Sequence, residues 1–144
     1  MDHPDIQLAV GYYEAINRRD ASVYAERFTD DATLTAPGGV HARGPEAIAA
    51  FDSVWTGAFS DFTIAGDFHV ADGGRVVCYN RATGTHDGTL VMPDGSEVPP
   101  TGRRLDAPFF GAFEVRDGRI ASQLIYFDRM IVAESLGLLP THAV

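Results

Sequence analysis

Between Asp5 and Arg18 the apolar side chains fall at Ile6, Ala9, Val10, Tyr13 and Ile16, with Leu8 and Tyr12 widening the stripe. That is the spacing of one helix face, and it predicts an amphipathic helix lying on a core. After Asn17-Arg18-Arg19, Asp20 can cap a short second helix that turns Val23, Tyr24 and Phe28 inward before Asp30-Asp31 breaks it. Thr33-Leu34-Thr35-Ala36 alternates and stops at Pro37-Gly38-Gly39, which predicts a short strand and a turn. Gly44-Pro45-Glu46 opens a third helix, whose inward face is Ile48, Phe51, Val54, Trp55 and Phe59.

From Asp61 onward the period is that of strands. Phe62 to Ala71, Arg75 to His86, Arg104 to Arg116 and Arg119 to Asp128 read as four of them. The insert from Asp87 to Gly102 carries Asp87-Gly88, Pro93-Asp94-Gly95 and Pro99-Pro100, so it reads as a surface excursion that could lid a pocket. Residues 129 to 136 suit a last short helix, stopped by Gly137 and Pro140. Helices followed by an antiparallel meander predict one α+β domain over residues 1–144, its sheet curled around the helices.

Asp117-Gly118 is the dipeptide of a two-residue hairpin, which sets Arg116 opposite Arg119. With uninterrupted pairing, Phe109 then faces Tyr126 and Ala107 faces Asp128. Alternation puts Leu105, Ala107, Phe109, Gly111 and Phe113 on an inner face with Ile120, Ser122, Leu124, Tyr126 and Asp128. Phe110, Ile125 and Phe127 are left as an apolar patch on the other side, which predicts a homodimer packed through the outer sheet face.

With 144 residues and 45 % hydrophobic content, the chain can bury a full core. Its net charge of −9, with no cluster of Lys or Arg, argues against a nucleic-acid or anionic-membrane partner and leaves a small hydrophobic organic substrate or ligand. The single cysteine, Cys78, lies in an apolar run and rules out an intramolecular disulfide and a cysteine-based metal site. His3, His41, His69, His86 and His142 are scattered, so no metal is expected. No apolar run reaches bilayer length and the N-terminus lacks the order of a secretory signal, so a cytoplasmic location is expected.

Two readings of Asp128 remain open. On an apolar inner face, desolvation would disfavour its ionised form and suit it to proton transfer near neutrality. As N-cap of the last helix it would instead accept from the amides of residues 130 and 131, which favours the charged form. Arg81, in the middle of an apolar strand, either points to solvent or orients a carboxylate or ligand oxygen. Tyr12, Phe51, Trp55, Phe109 and Tyr126 could line a pocket for a flat ligand, or simply fill the core.

Gly84-Thr85-His86, Pro100-Thr101-Gly102-Arg103-Arg104, Arg116-Asp117-Gly118-Arg119-Ile120, and Asp128 followed by Leu136-Gly137-Leu138 form an ordered set. Together with Phe28 to Thr33, Gly44 to Ile48 and Phe59 to Phe62, this set resembles the SnoaL-like polyketide cyclases of the NTF2-like superfamily. The resemblance implies an α+β cone with a pocket between helices and sheet, and no metal or organic cofactor. It implies an aldol-type cyclase in which Asp128 matches the catalytic aspartate and His86 a pocket histidine. It also leaves room for a non-catalytic binding protein, or for an isomerase or epoxide hydrolase relative. Gly111 stands where the cyclases carry a second polar group, and Ala36 where ketosteroid isomerases carry their basic aspartate, although Tyr12 matches their tyrosine donor. Epoxide hydrolysis would need two acids and an arginine around one water, and Asp106 lies outward in this register.

Overall fold

The computed structural model describes residues 3–139. Helices α1 (Pro4–Arg18), α2 (Val23–Arg27) and α3 (Pro45–Ala58) are interleaved with strands β1 (Phe28–Ala36) and β2 (Val40–Arg43). Then come β3 (Thr63–Asp72), β4 (Arg75–Thr85), a small hairpin of β5 (Leu90–Val91) and β6 (Glu97–Val98), β7 (Arg104–Arg116), β8 (Arg119–Phe127) and α4 (Arg129–Ser135). Six strands form one sheet in the order β2-β1-β8-β7-β4-β3, all antiparallel except the β1–β8 pair. The expected α+β architecture is therefore present. Phe28 belongs to β1 rather than to the second helix, and Pro37-Gly38-Gly39 turns β1 into β2, a strand that four residues of weak pattern did not announce.

Local chemistry explains how the helices are seated. His3 Nδ1 accepts from the Asp5 amide at 3.1 Å, and Pro4 sits where its missing N–H is not needed, so α1 starts there. At the far end Arg19 takes the left-handed conformation (φ 59°). Its guanidinium donates to the carbonyls of Ile16, Phe62 and Ser60 at 3.0, 2.9 and 2.8 Å. Asn17 grips the edge of the sheet from both sides, donating to the Ile64 carbonyl at 2.9 Å and accepting from its amide at 2.8 Å. These bonds lock α1 over β3 and β4, so that Tyr12 and Tyr13 face the interior.

The Asp117-Gly118 turn is as expected, with Arg116 opposite Arg119 and Val115 opposite Ile120. The next pair is Glu114 with Ser122, so Ala121 is an extra residue in β8, a β-bulge. Beyond a bulge every side chain changes face, because the side-chain period of a strand is two. Phe127, not Tyr126, is opposite Phe109. Gln123 and Ile125 are buried, whereas Leu124 and Tyr126 are exposed. The outer apolar patch is correspondingly Phe68, Val70, Val77, Phe110, Leu124 and Tyr126, of which only Phe110 was expected. The core itself lies between this sheet and the helices, with Tyr12, Phe28, Phe59 and Phe113 among its largest members.

Truncation distinguishes the two registers. Ile125→Ala should destabilise the fold by about 2–4 kcal/mol and Leu124→Ala by less than about 1 kcal/mol, measured by urea unfolding of dilute protein. A reversed order would restore the unbulged pairing.

Candidate active site

The one carboxyl buried among the described residues is that of Asp52, on the inner side of α3. Two hydroxyls reach its Oδ2: Tyr12 from α1 donates at 2.6 Å and Tyr24 from α2 at 2.7 Å. Around them Phe28 and Phe113 stand edge-on to the Tyr12 ring, at centroid distances of 5.1 and 6.1 Å. Burial pushes the Asp52 carboxyl up to about 6, and the two tyrosine bonds partly counter that push by favouring its charged form. Burial and the neighbouring carboxylate raise both Tyr12 and Tyr24, so both stay protonated donors at neutral pH. The group is thus a carboxyl that changes charge close to neutrality, as a proton-transfer group needs.

Asp52 borders two spaces. On the sheet side is an apolar chamber of about 60 Å³, lined by Tyr12, Phe51, Trp55, Phe109 and Gln123 among others. On the helix side is a cleft of about 160 Å³ between α1, α2 and α3, where Arg19, Asp20 and Tyr24 are found. The inner chamber shares Phe51, Trp55, Phe127 and Val132 with a larger apolar chamber of about 340 Å³, which extends between α3, α4 and the β5–β6 hairpin. Leu90, Val91, Met92 and Pro93 from the insert form one wall of that larger chamber, so the excursion does cover a pocket.

Of the expected site residues, Tyr12, Phe51, Trp55 and Phe109 meet in the inner chamber. The others do not. Asp128 is exposed and is the N-cap of α4, accepting from the Met130 amide at 2.8 Å. The bulge at Ala121 is the reason, since it removes Asp128 from the inner row. Tyr126 leaves for the outer face by the same reversal of parity. Arg81 also lies on the outer face, paired with Asp106 at 2.6 Å, both half-exposed. His86 is fully buried but at the base of the insert, against Phe59 and outside the chamber. Its Nδ1 accepts from the Thr101 amide at 3.1 Å and meets the Thr101 hydroxyl at 2.9 Å. Burial lowers its pKa, which favours the neutral ring that this acceptor role requires. His86 therefore closes a loop. Gly111 is also accounted for: a Cβ there would fall 2.1 Å from the Tyr13 hydroxyl, so no larger residue fits under that ring.

Asp52 and Gln123 are the chamber groups that the pattern did not bring forward, and Tyr24, expected inward, is the partner of Asp52 on the helix side. Asp52 had a readable signal. It stands four residues after Ile48 within the apolar stripe of α3, and Asp is a poor choice for a helix interior unless its side chain has a task. Gln123 could be placed only once the bulge was known.

A helical layer packed on one face of a mostly antiparallel sheet, with an acid at the wall of an apolar chamber, defines a pocket protein of NTF2-like architecture. The chain belongs to the SnoaL-like domain family, whose profile matches residues 9–123. Among solved structures it is similar to IdmH from Streptomyces antibioticus, assigned as a polyketide cyclase, at 28 % identity and a TM-score of 0.78 over 94 % of this chain and 99 % of that one. A protein from Jannaschia sp. CCS1 assigned as a SnoaL-like polyketide cyclase has 20 % identity and a TM-score of 0.83 over 97 % and 99 %. An LEH-like epoxide hydrolase of M. tuberculosis has 21 % identity and a TM-score of 0.71 over 92 % and 89 %. No curated protein matches the sequence. Among the described residues no helix is long and apolar enough to cross a membrane, and no group of three metal-ligating side chains occurs.

The raised Asp52 carboxyl makes stability depend on pH. Well below pH 3.8 it is protonated folded and unfolded alike. Between its ordinary value of 3.8 and about 6 the folded chain keeps a proton that the unfolded chain has lost, so stability falls as pH rises through that window. Above it a cost on the order of 2–3 kcal/mol persists. Asp52→Asn should therefore be more stable than the parent by about 1–3 kcal/mol at pH 8, with the pH-dependent difference vanishing at about pH 3 and below in urea unfolding.

Proposed function

We propose that this protein is a cofactor-independent enzyme of the cyclase and isomerase type, acting on an apolar, polyketide-like carbonyl compound, with Asp52 as the group that moves the proton. The observation that carries this reading is the Asp52 carboxyl itself, buried at the wall of an apolar chamber and held by two tyrosine hydroxyls. Its ionised form takes a proton from a carbon next to the carbonyl, and the electron pair of that C–H bond moves onto the carbonyl oxygen. The neutral form returns the same proton, to another carbon in an isomerisation or to the new alkoxide in an aldol closure. Nothing is oxidised or reduced, and the Tyr12 and Tyr24 bonds hold Oδ2 still while the charge comes and goes. The apolar lining supplies the low-polarity surroundings that keep the acid near neutrality. The 340 Å³ outer chamber is large enough for the body of such a substrate, and the inner chamber suits its reacting end. The names of the similar solved proteins, cyclases and an epoxide hydrolase, fit an enzyme of this general kind.

The role matched to Asp128 is separable by experiment, because Asn caps a helix about as well as Asp. Exchange of the α-protons of 2-tetralone in D₂O, followed by NMR, is the assay. Wild type should accelerate exchange, with kcat/KM rising with pH and levelling above about 6 as Asp52 ionises. Asp52→Asn should lose about a hundredfold or more, and Asp128→Asn less than about threefold. Full activity in Asp52→Asn with loss in Asp128→Asn would move the chemistry to the strand end. Probe binding without exchange in any form of the protein would make it a binding protein.

A homodimer through the outer sheet face is part of the same proposal. Tyr79 stacks on Phe68 and lies tilted against Phe110, with centroid distances of 5.4 and 4.7 Å, on an exposed face that Val70, Val77, Leu124 and Tyr126 extend. A continuous apolar face of this kind is unusual on a monomer. Sedimentation at micromolar concentration should give a dimer for the parent and a monomer for Leu124→Arg. A monomeric parent would end the idea.

A further inference from the structure

Among the described residues, the buried side-chain polar atoms without a partner are Tyr13 Oη, both amide atoms of Asn80, His86 Nε2 and Gln123 Oε1. Tyr13 and Asn80 sit against each other under α1, and His86 belongs to the base of the insert. Gln123 is different. It is 3 % exposed, its side chain lines the chamber that Asp52 borders, and its cross-strand neighbours are Leu34 and Phe113, which offer no side-chain hydrogen bond. An apolar residue of the same size would fill that position without leaving a polar atom bare. A buried acceptor without a partner destabilises a fold by about 1–3 kcal/mol, so its retention calls for an occupant that satisfies it.

We propose that Gln123 is the specificity-determining residue of the chamber and takes a hydroxyl group of the substrate. This rests on the reading of the chamber as the substrate site. A hydroxyl both donates and accepts, so it satisfies the carboxamide whichever of its two ends is presented. Gln123 comes from the sheet, whereas Asp52 and Tyr12 come from the helices. A hydroxylated ring system seated with its body in the outer chamber and its hydroxyl on Gln123 has one carbon turned to the carboxyl, not several. Gln123 is in this sense a positioning residue, and the substrate class narrows to hydroxylated, phenol-like or enol-like apolar carbonyl compounds.

The test uses three probes of one shape: 2-naphthol, 2-methoxynaphthalene, which can only accept, and 2-methylnaphthalene, which can do neither. Affinities are measured by calorimetry on wild type, Gln123→Leu, Gln123→Met and Asp52→Asn. Loss of the amide should shift the affinity ratio of naphthol to methylnaphthalene by about tenfold or more toward the apolar probe, with melting temperature unchanged or raised. Asp52→Asn should leave that ratio within about twofold. A ratio unmoved in the Gln123 variants overturns the proposal. So does a large fall in melting temperature in both of them, because it would show that the amide is already satisfied within the fold. If the ratio shifts but 2-tetralone exchange is absent in wild type, the enzymatic reading fails and the hydroxyl site stands.

Discussion

A carboxyl cannot be taken out of water without compensation, and the way Asp52 is compensated fixes the arrangement of the helical layer. Tyr12, Tyr24 and Asp52 come from α1, α2 and α3, so two hydrogen bonds to one oxygen draw three helices to a point. The rest of the layer is built to hold that point. Arg19 staples the end of α1 to the turn before β3, and Asn17 grips the β3 edge. The aromatic rings of Phe28 and Phe113 then close around Tyr12, leaving a dry surface on one side of the carboxyl only.

How much of this could be read from the sequence depended on what kind of signal each part left. Helical periodicity located α1 and α3, and turn dipeptides located β3, β4, β7 and β8, because these signals are local and repeated. The family likeness carried by the ordered short motifs also held. What failed was the step that multiplied a local signal over distance. The Asp117-Gly118 turn fixed the first pairs of the hairpin correctly, yet one additional residue at Ala121 reversed every side chain beyond it. Nothing in Ile120-Ala121-Ser122 marks a bulge, since Ala and Ser suit either face of a sheet. Asp128 and Tyr126 were misplaced by that single residue, and Gln123 was hidden by it.

The site residues divide along the same line. Tyr12, Phe51 and Trp55 follow from helix faces, which are set by residues three and four apart and do not accumulate error. Asp52 lies on that same face and was legible in principle, as an acid inside an apolar stripe. His86 and Arg81 show the opposite case: each is a polar residue in an apolar context, and each has found a local use, one tying a loop to Thr101 and one pairing with Asp106. Polar residues in apolar runs are therefore worth sorting by whether a partner is within reach along the same element or the next. Asp52 finds its partners on two other helices, which is what makes it a junction rather than a fastening.

The position of Asp52 between an apolar chamber and the cleft that holds Arg19 and Asp20 bears on turnover. In the proposed reaction the proton taken from the substrate goes back to it, so the carboxyl ends each cycle ionised, as it began. The proposed chemistry therefore asks for no proton path from the buried side chain to the cleft on the helix side. The seal that keeps water from the carboxyl, and so holds the acid near neutrality, is then no obstacle to repeated cycles of such a reaction.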